Sequence, residues 1–256
     1  MNYWQSVILG IVEGFTEFLP ISSTAHLILT AKLLNISQTE FVRSFEIAIQ
    51  LGAILAVLWL YGRKVLFHKE VFKKIIVAFL PTAILGFLFY KIIKNYLMEN
   101  LLIIVWALIL GGIFFIIFEQ WYKNKIGKVD SLEKISYKNS FLIGVCQAVA
   151  MIPGVSRAAA TILGGLFLGI QRKVIVEFSF LLAVPTMVMA TGYDLLKNGF
   201  SFSFNQFGLL FVGFLTSFLV AIIAIKFLLY YIQQNDFKWF GVYRIIVGLI
   251  FLLFFV

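Results

Sequence analysis

Apolar residues recur along the whole chain in long runs that short polar segments interrupt. Six runs approach the length of about 20 residues that crosses hydrocarbon, and they cover residues 45–61, 75–93, 101–118, 177–196, 207–230 and 240–256. The composition is 62% apolar and 13% charged, which lies outside the usual range of soluble domains. The sequence therefore predicts an all-α polytopic membrane protein with a single membrane domain over residues 1–256.

Two further apolar segments are each broken by a proline and resemble one another. With one residue of slack they align Gly10 to Gly144, Glu13 to Gln147, Pro20 to Pro153 and Ser23 to Ser156. In each segment a short helix ends at the proline, and a Ser/Thr-bearing turn starts a second short helix over 23–35 or 156–170. None of these helices is long enough to span. Because the first segment already carries Glu13 and Glu17, no cleaved leader is expected.

Each proline-broken segment thus predicts a re-entrant helix hairpin followed by three spans. The two halves, about 1–118 and about 139–256, are joined by a basic loop at 119–138. They form an inverted repeat, since each contains an odd number of spans. The first tip, residues 20–26, is then expected to meet the second tip, residues 153–161, near the membrane midplane.

Basic residues mark one side of this topology. Loops 62–74, 119–138, 171–176 and 231–239 fall on one side and hold 13 Lys and Arg, whereas the other side holds Lys32, Arg43, Lys91, Lys94 and Lys197. The positive-inside rule makes the first side cytoplasmic and places both termini outside. Although the net charge is +9, the basic residues do not line one face, so no nucleic-acid partner is expected.

The first hairpin carries two carboxylates in an apolar helix. Glu13 and Glu17 lie one helical turn apart, where they repel unless a cation or a proton intervenes. Ionisable residues at membrane depth are functional by default, which favours metal ligation or acid–base catalysis. The alternative is a buried contact with Arg157 or a backbone amide.

Polar residues follow in the first tip: Ser22, Ser23, Thr24 and His26. Ser23 and His26 are three residues apart and neighbours on a helix, which is a nucleophile-and-base arrangement. The alternative is a serine that caps the helix and a histidine that packs at an interface. The adjacent carboxylates favour the catalytic interpretation.

The second tip predicts an anion site. Gly154, Ser156 and Arg157 place a turn, a capping hydroxyl and a guanidinium at a helix N-terminus, with Thr161 one turn further on. A phosphate ligand fits this site better than a carboxylate ligand. A pyrophosphate bridged by a metal ion would need the nearby Glu carboxylates as metal ligands, whereas a carboxylate ligand would not. A structural ion pair of Arg157 with Glu13 or Glu17 is the alternative.

Other polar residues at membrane depth give weaker signals. Glu46 and Gln50 lie one turn apart and could support the site. Glu177 and Arg244 are better explained by structural pairing or interface anchoring.

The stretch Glu13-Gly-x-Thr-Glu-Phe-Leu-Pro-x-Ser-Ser-Thr-x-His26 resembles the bacterial undecaprenyl-pyrophosphate phosphatases associated with bacitracin resistance. Similar stretches are Phe45-Glu-x-x-Ile-Gln-Leu-Gly, Pro153-Gly-x-Ser-Arg and Glu177-Phe-Ser-Phe-Leu-Leu-Ala-Val-Pro. One departure is Ala158-Ala159, where the family more often has Ser-Gly. The resemblance implies removal of one phosphate from undecaprenyl pyrophosphate, which recycles the lipid carrier of cell-wall and peptidoglycan synthesis.

The resemblance also implies a divalent cation, Mg²⁺ or Ca²⁺, and an active site open to the outer face of the bacterial inner membrane. It assigns catalysis to Glu17, Ser23, His26 and Arg157, and metal binding to Glu13 and Glu17. The residues expected to contact the substrate are Glu13, Ser22, Thr24, Gly154, Ser156, Arg157 and Thr161.

Two other function classes compete. Phosphatases of the phosphatidic-acid type need a histidine a few residues after Ser-Arg, and residues 158–176 contain none. A lipid-phosphate flippase or transporter would share the inverted repeat with broken helices. The sequence leaves open whether serine or water attacks phosphorus, which cation binds, and the oligomeric state.

Overall fold

The computed structural model describes residues 1–92, 96–97, 100–123, 125, 127–198 and 204–255, and this part of the chain is helical. Its α-helices are α1 Tyr3–Thr16, α2 Ser23–Leu33, α3 Glu40–Phe67, α4 Lys69–Ile92, α5 Leu101–Tyr122, α6 Tyr137–Ala148, α7 Arg157–Phe167, α8 Arg172–Asn198, α9 Phe204–Tyr231 and α10 Lys238–Phe255. The all-α prediction is confirmed. Lys94 and the last residue of the sixth predicted span lie outside the described residues.

Five helices are long and apolar enough to cross a membrane, over Glu40–Arg63, Lys69–Phe89, Leu101–Tyr122, Arg172–Gly192 and Gln206–Tyr231. They correspond to five of the six predicted spans. The sixth corresponds to α10, whose described residues do not meet the length and hydropathy expected of a membrane span. Large apolar side chains such as Trp59, Phe87 and Leu253 are exposed on the surface of the bundle. Such a surface suits lipid, so the chain is a multi-pass membrane protein.

The two hairpins share one register. Helices α1 and α6 begin at residues 3 and 137, and the caps of α2 and α7 are residues 22 and 156, so both pairs are 134 residues apart. The one-residue shift in the predicted alignment is therefore wrong, and Ser156 matches Ser22 instead of Ser23. Aligning the two prolines gave the wrong match because they are not at equivalent positions in the two turns. The residue that matches Pro20 is Gly154, which has a φ of 94°.

Each hairpin packs against a helix of the other half. Helix α1 packs on α9, while its counterpart α6 packs on α4. A Cβ at Gly10 would lie 2.6 Å from the carbonyl oxygen of Gly213, and a Cβ at Gly144 would overlap the carbonyl oxygen of Ala78. Both matching glycines therefore permit the same close approach of two helix backbones.

The ends of the first hairpin lie together. The Gln5 side-chain amide donates to the Leu34 carbonyl at 3.2 Å, and Ser6 Oγ donates to the carbonyl of Leu209 near the start of α9 at 2.7 Å. A helix of 14 residues such as α1 is about 21 Å long at about 1.5 Å per residue. This length is short of a hydrocarbon core of about 30 Å.

The second hairpin begins and ends beside the basic loops. The amide of Lys128 donates to the carbonyl of Gly169 at 2.8 Å, just after α7. At the start of α6, the Tyr137 hydroxyl donates to Glu70 at 2.7 Å.

The four loops predicted to share one side contact one another. Lys74 Nζ donates to the Glu133 carbonyl at 2.6 Å, and the amide of Gln171 donates to the Val129 carbonyl at 2.9 Å. The amide of Phe237 donates to Glu119 at 3.1 Å, and Glu119 also pairs with Arg172 through both of its carboxylate oxygens. The basic loops therefore form one end of the bundle.

Candidate active site

An ion pair joins the two hairpins. Arg157 Nη2 donates to Glu17 Oε1 at 2.9 Å, and the side chains are 9% and 3% exposed. Glu17 caps the C-terminus of α1, whereas Arg157 is the first residue of α7. Residues 20–26 lie close to residues 153–161, because Ser23 and Arg157 bond the same carboxylate, whereas their depth at the membrane midplane stays a prediction. The pairing of Glu17 with Arg157 foreseen as the alternative is present.

Glu17 also accepts a hydrogen bond from Ser23. Ser23 Oγ donates to Glu17 Oε2 at 2.6 Å. Because Ser23 is the first residue of α2 and Arg157 the first of α7, the side chains that begin both helices bond one carboxylate. The positive ends of two helix dipoles favour an anion near these residues. The side chains and helix ends together form an anion-binding centre.

The predicted hydroxyl–imidazole pair of Ser23 and His26 is not formed. His26 Nδ1 lies 2.7 Å from the Ser22 carbonyl oxygen and Nε2 lies 2.8 Å from the Tyr243 hydroxyl. The His26 and Tyr243 rings also stack, with centroids 5.5 Å apart. A carbonyl only accepts, so Nδ1 carries a proton, and in the neutral imidazole Nε2 then accepts from Tyr243. Sequence spacing could not reveal Tyr243 as the partner of this histidine.

Both second helices begin at a strained serine. Ser22 and Ser156 have φ values of 74° and 75°, a region that costs a residue with a Cβ about 1–3 kcal/mol. Ser156 Oγ accepts from the amide of Ala159 at 3.2 Å, whereas the Ser22 side chain makes no cap. A Cβ at Gly154 would lie 2.5 Å from the Ile104 carbonyl oxygen, so this turn requires glycine.

Ser179 orients Arg157 and was missed from the sequence. Arg157 Nη1 donates to the Ser179 carbonyl at 2.9 Å, and the Ser179 hydroxyl lies 2.6 Å from Thr161 Oγ1. Thr161 is fully buried and also donates to helix carbonyls. Its hydroxyl therefore supports Ser179 and the arginine, and direct contact of Thr161 with substrate stays a prediction. The only available signal was that Ser179 lies in the stretch beginning at Glu177.

Glu13 is fully buried, and neither carboxylate oxygen has a hydrogen-bond partner in the described part of the chain. Hard oxygen donors of this kind suit Mg²⁺ or Ca²⁺. Among the described residues no group of three or more His, Cys, Asp or Glu could hold a metal. The Glu13 and Glu17 pair therefore fits a cation that takes its remaining ligands from phosphate oxygens or water. At the matching position Gln147 donates to Thr82 and Thr186 at 2.8 and 3.2 Å.

The remaining predicted residues differ in burial and in contacts. Glu46 accepts from the Gln38 side chain at 3.3 Å, and Gln50 and Thr24 are partly buried on α3 and α2. Ala158 and Ala159 are buried in the apolar core. Arg244, predicted as an anchor, is 1% exposed and contacts both tips.

Comparison with known proteins places the whole chain in one group. Residues 6–250 match the family model described as bacitracin resistance protein BacA. A protein named undecaprenyl-diphosphatase from Aquifex aeolicus (strain VF5) is 52% identical over 255 residues, which cover 100% of this chain and 99% of that protein. Proteins of the same name from Campylobacter jejuni and Methanococcus aeolicus are 48% and 45% identical, with coverage of 98% and 100% of this chain and 94% and 100% of their own. The chain therefore belongs to the bacitracin resistance protein BacA family.

Proposed function

We propose that this chain is an undecaprenyl-pyrophosphate phosphatase that releases inorganic phosphate and leaves undecaprenyl monophosphate. Full-length relatives bear the name undecaprenyl-diphosphatase. The observation that carries the proposal is the convergence of Ser23 and Arg157 on Glu17. A hydroxyl, a proton acceptor and a guanidinium held together can supply the nucleophile, the base and the charge stabilisation for phosphoanhydride cleavage.

Substrate binding exchanges one anion for another. In the structure the Glu17 carboxylate lies where the N-termini of α2 and α7 converge. The terminal phosphate of the substrate takes over Arg157 Nη2 and the free helix amides, since phosphate is the anion that such sites favour. Ser179 keeps hold of Nη1 and so fixes the plane of the guanidinium.

Glu17 and Ser23 carry out the first chemical step. Ser23 Oγ attacks the terminal phosphorus and gives its proton to Glu17 Oε2, while the bridging P–O bond breaks. Undecaprenyl monophosphate leaves with the bonding electrons, and the phosphoryl group remains on Ser23. Arg157 stabilises the negative charge that builds on the phosphoryl oxygens.

His26 acts in the second step. Its Nε2 accepts a hydrogen bond from the Tyr243 hydroxyl, and a water molecule that takes the place of this hydroxyl gives its proton to Nε2 as it attacks the phosphoserine. The bond between Ser23 Oγ and phosphorus then breaks, the serine oxygen regains its proton from Glu17, inorganic phosphate is released, and His26 gives the proton taken from water back to solvent. Ser23 keeps its predicted role as the nucleophile, whereas Glu17 replaces His26 as the group that deprotonates the serine.

A divalent cation, Mg²⁺ or Ca²⁺, would be held by Glu13 with Glu17. When bound, it neutralises charge on the pyrophosphate and polarises the bonds to phosphorus. Glu13 offers two oxygens without hydrogen-bond partners among the described residues, whereas both Glu17 oxygens are already bonded. Glu13 is therefore the main cation ligand of this proposal.

The membrane arrangement follows from the same contacts. We place the basic end of the bundle in the cytoplasm and the N-terminal end of α1 outside the inner membrane. The hairpins are then re-entrant from opposite sides and the halves form an inverted repeat, as the exchange of packing partners between α1 and α6 supports. The active site opens to the outer face, where the spent lipid carrier of cell-wall synthesis is recycled.

A flippase is the second candidate, because hairpins that enter from opposite sides and meet at their tips also suit alternating access. The test uses the purified full chain in detergent with undecaprenyl pyrophosphate and Mg²⁺. We expect release of one inorganic phosphate per lipid, abolished by EDTA. A pure transporter releases none, and it would instead move a fluorescent lipid phosphate between the leaflets of reconstituted vesicles.

A further inference from the structure

Arg244 of α10 binds five backbone carbonyls and, within the described residues, has no carboxylate partner. Nη1 donates to Pro20 at 3.2 Å and to Val155 at 2.8 Å, and Nη2 donates to Gly154 and Ala107 at 3.0 Å each. Nε lies 3.5 Å from the Leu108 carbonyl. All five guanidinium N–H groups are therefore used, and the residue is 1% exposed.

Those carbonyls belong to three separate segments. Pro20 lies in the first tip, Gly154 and Val155 lie in the second tip, and Ala107 belongs to α5. One rigid, planar group thus joins both tips to a membrane-spanning helix. A lysine could not do the same, because its three donors radiate from one atom.

Helix α5 makes room for this guanidinium. A Cβ at Gly111 would overlap Arg244 Nη2, and its distance to Cζ would be 2.9 Å. At the next residue, a Cβ at Gly112 would lie 2.6 Å from the Gly241 carbonyl oxygen. The Gly111-Gly112 pair of α5 therefore lets α10 approach and leaves space for the arginine.

The residue before Arg244 reaches the catalytic histidine. Tyr243 bonds His26 Nε2 and stacks on its ring, so neighbouring residues of α10 contact His26 and both tips. The relative position of the tips sets how Ser23 and Glu17 face Arg157, since these groups reach the centre from different hairpins.

We infer that Arg244 is a positioning residue for phosphoryl transfer, which holds the two hairpin tips in the register that brings Ser23 and Glu17 against Arg157. This inference rests on the proposed phosphatase function. A shift of about 1 Å between reacting groups costs about 100-fold in rate, so loss of this register lowers kcat more than it weakens substrate binding.

The test compares Arg244→Lys and Gly111→Ala with Gly62→Ala, a control whose new Cβ meets no atom within 4 Å. Each purified variant is checked for monodispersity and thermal unfolding in detergent, and kcat and KM for undecaprenyl pyrophosphate are measured per folded protein. We expect kcat to fall about 10- to 100-fold in the two test variants with KM changed less than about threefold. The control should match the wild type.

A double-mutant cycle separates positioning from general destabilisation. In an Arg157→Lys background, adding Gly111→Ala should cost much less kcat than it does in the wild type, because the alignment it disturbs is already lost. Additive losses would contradict the inference, as would folded variants with wild-type kcat. Failure of both variants to fold would make Arg244 a residue of the core only. If the wild type released no phosphate, the proposed function itself would fail, and that result is distinct from all of these.

Discussion

Ser23 Oγ lies 2.6 Å from Glu17 Oε2 and donates its hydrogen bond there, although a histidine lies one helical turn away. Both ring nitrogens of His26 are bonded to other groups. The hydroxyl at the first tip is therefore coupled to a carboxylate that also binds Arg157 of the second tip. Its reactivity depends on both hairpins.

Substitution of Ser23 or of Glu17 should cause the same loss of turnover. We expect Ser23→Ala and Glu17→Gln to retain lipid binding and to lower kcat by about 100- to 10,000-fold. His26→Ala should also lower kcat, and the phosphorylated enzyme should accumulate in that variant, because only the second step needs the imidazole. Rapid-quench labelling with substrate carrying ³²P in the terminal phosphate measures both quantities. A fully active Ser23→Ala variant would make water the nucleophile and Ser23 a helix residue only.

Arg157→Lys should lose most activity although it keeps the charge. A lysine ammonium cannot bond Glu17 or phosphate while also bonding the Ser179 carbonyl, as the arginine does. We expect kcat/KM to fall about 100-fold or more. Arg63→Lys, at an exposed position, is the matched control. Near-normal turnover in Arg157→Lys would make Arg157 a structural charge.

Cation affinity should depend chiefly on Glu13. Since both of its oxygens are buried without partners among the described residues, Glu13→Gln should raise the Mg²⁺ concentration for half-maximal activity about tenfold or more, with partial rescue at high Mg²⁺. Glu17→Gln should respond less, and Ser23→Ala should not respond. Exposed Glu40→Gln serves as the control. An unchanged Mg²⁺ dependence in Glu13→Gln would remove Glu13 from the cation site.

The orientation can be tested by cysteine labelling. In a Cys146→Ala background, His68→Cys and Lys128→Cys should react with an impermeant maleimide only from the cytoplasmic side, because these exposed residues lie at the basic end of the bundle. Ser37→Cys, exposed near the opposite end, should react from outside. Labelling of residues 68 and 128 from outside would invert the topology and turn the site inward.

Helix contact between the halves should be sensitive to one methyl group. A Cβ at Gly144 overlaps the Ala78 carbonyl oxygen, so Gly144→Ala should destabilise the fold by about 1–3 kcal/mol. The control is Gly192→Ala, whose Cβ meets no atom within 4 Å. The midpoint of thermal unfolding in detergent should fall only for Gly144→Ala. Equal unfolding midpoints for the two variants would mean that α4 and α6 can move apart to admit the methyl group without loss of stability.

Local pattern was sufficient to predict most of the fold. Runs of apolar residues predict α3, α4, α5, α8 and α9, because residues that face lipid must be apolar at every turn. The prolines correctly marked the two turns. They gave the wrong register, however, because Pro20 and Pro153 lie at different positions in their turns. The turns align instead by the strained serines, which places Gly154 opposite Pro20.

The sequence predicted which residues form the site, but only part of the contacts between them. Glu13, Glu17, Ser23 and Arg157 stood out because ionisable and hydroxyl groups are costly in an apolar segment. The pairing of His26 with Tyr243, 217 residues away, depends on the crossing of α2 and α10, for which spacing within a helix gives no information.

The Glu17–Arg157 contact joins residues that are 140 positions apart in the chain. During synthesis the first hairpin is complete long before its arginine exists, and two carboxylates at membrane depth without a counter-charge are costly. The first hairpin should therefore settle at its final depth only after the second half has been inserted. A nascent or truncated first half would contain the serine and both acids and yet be chemically inert.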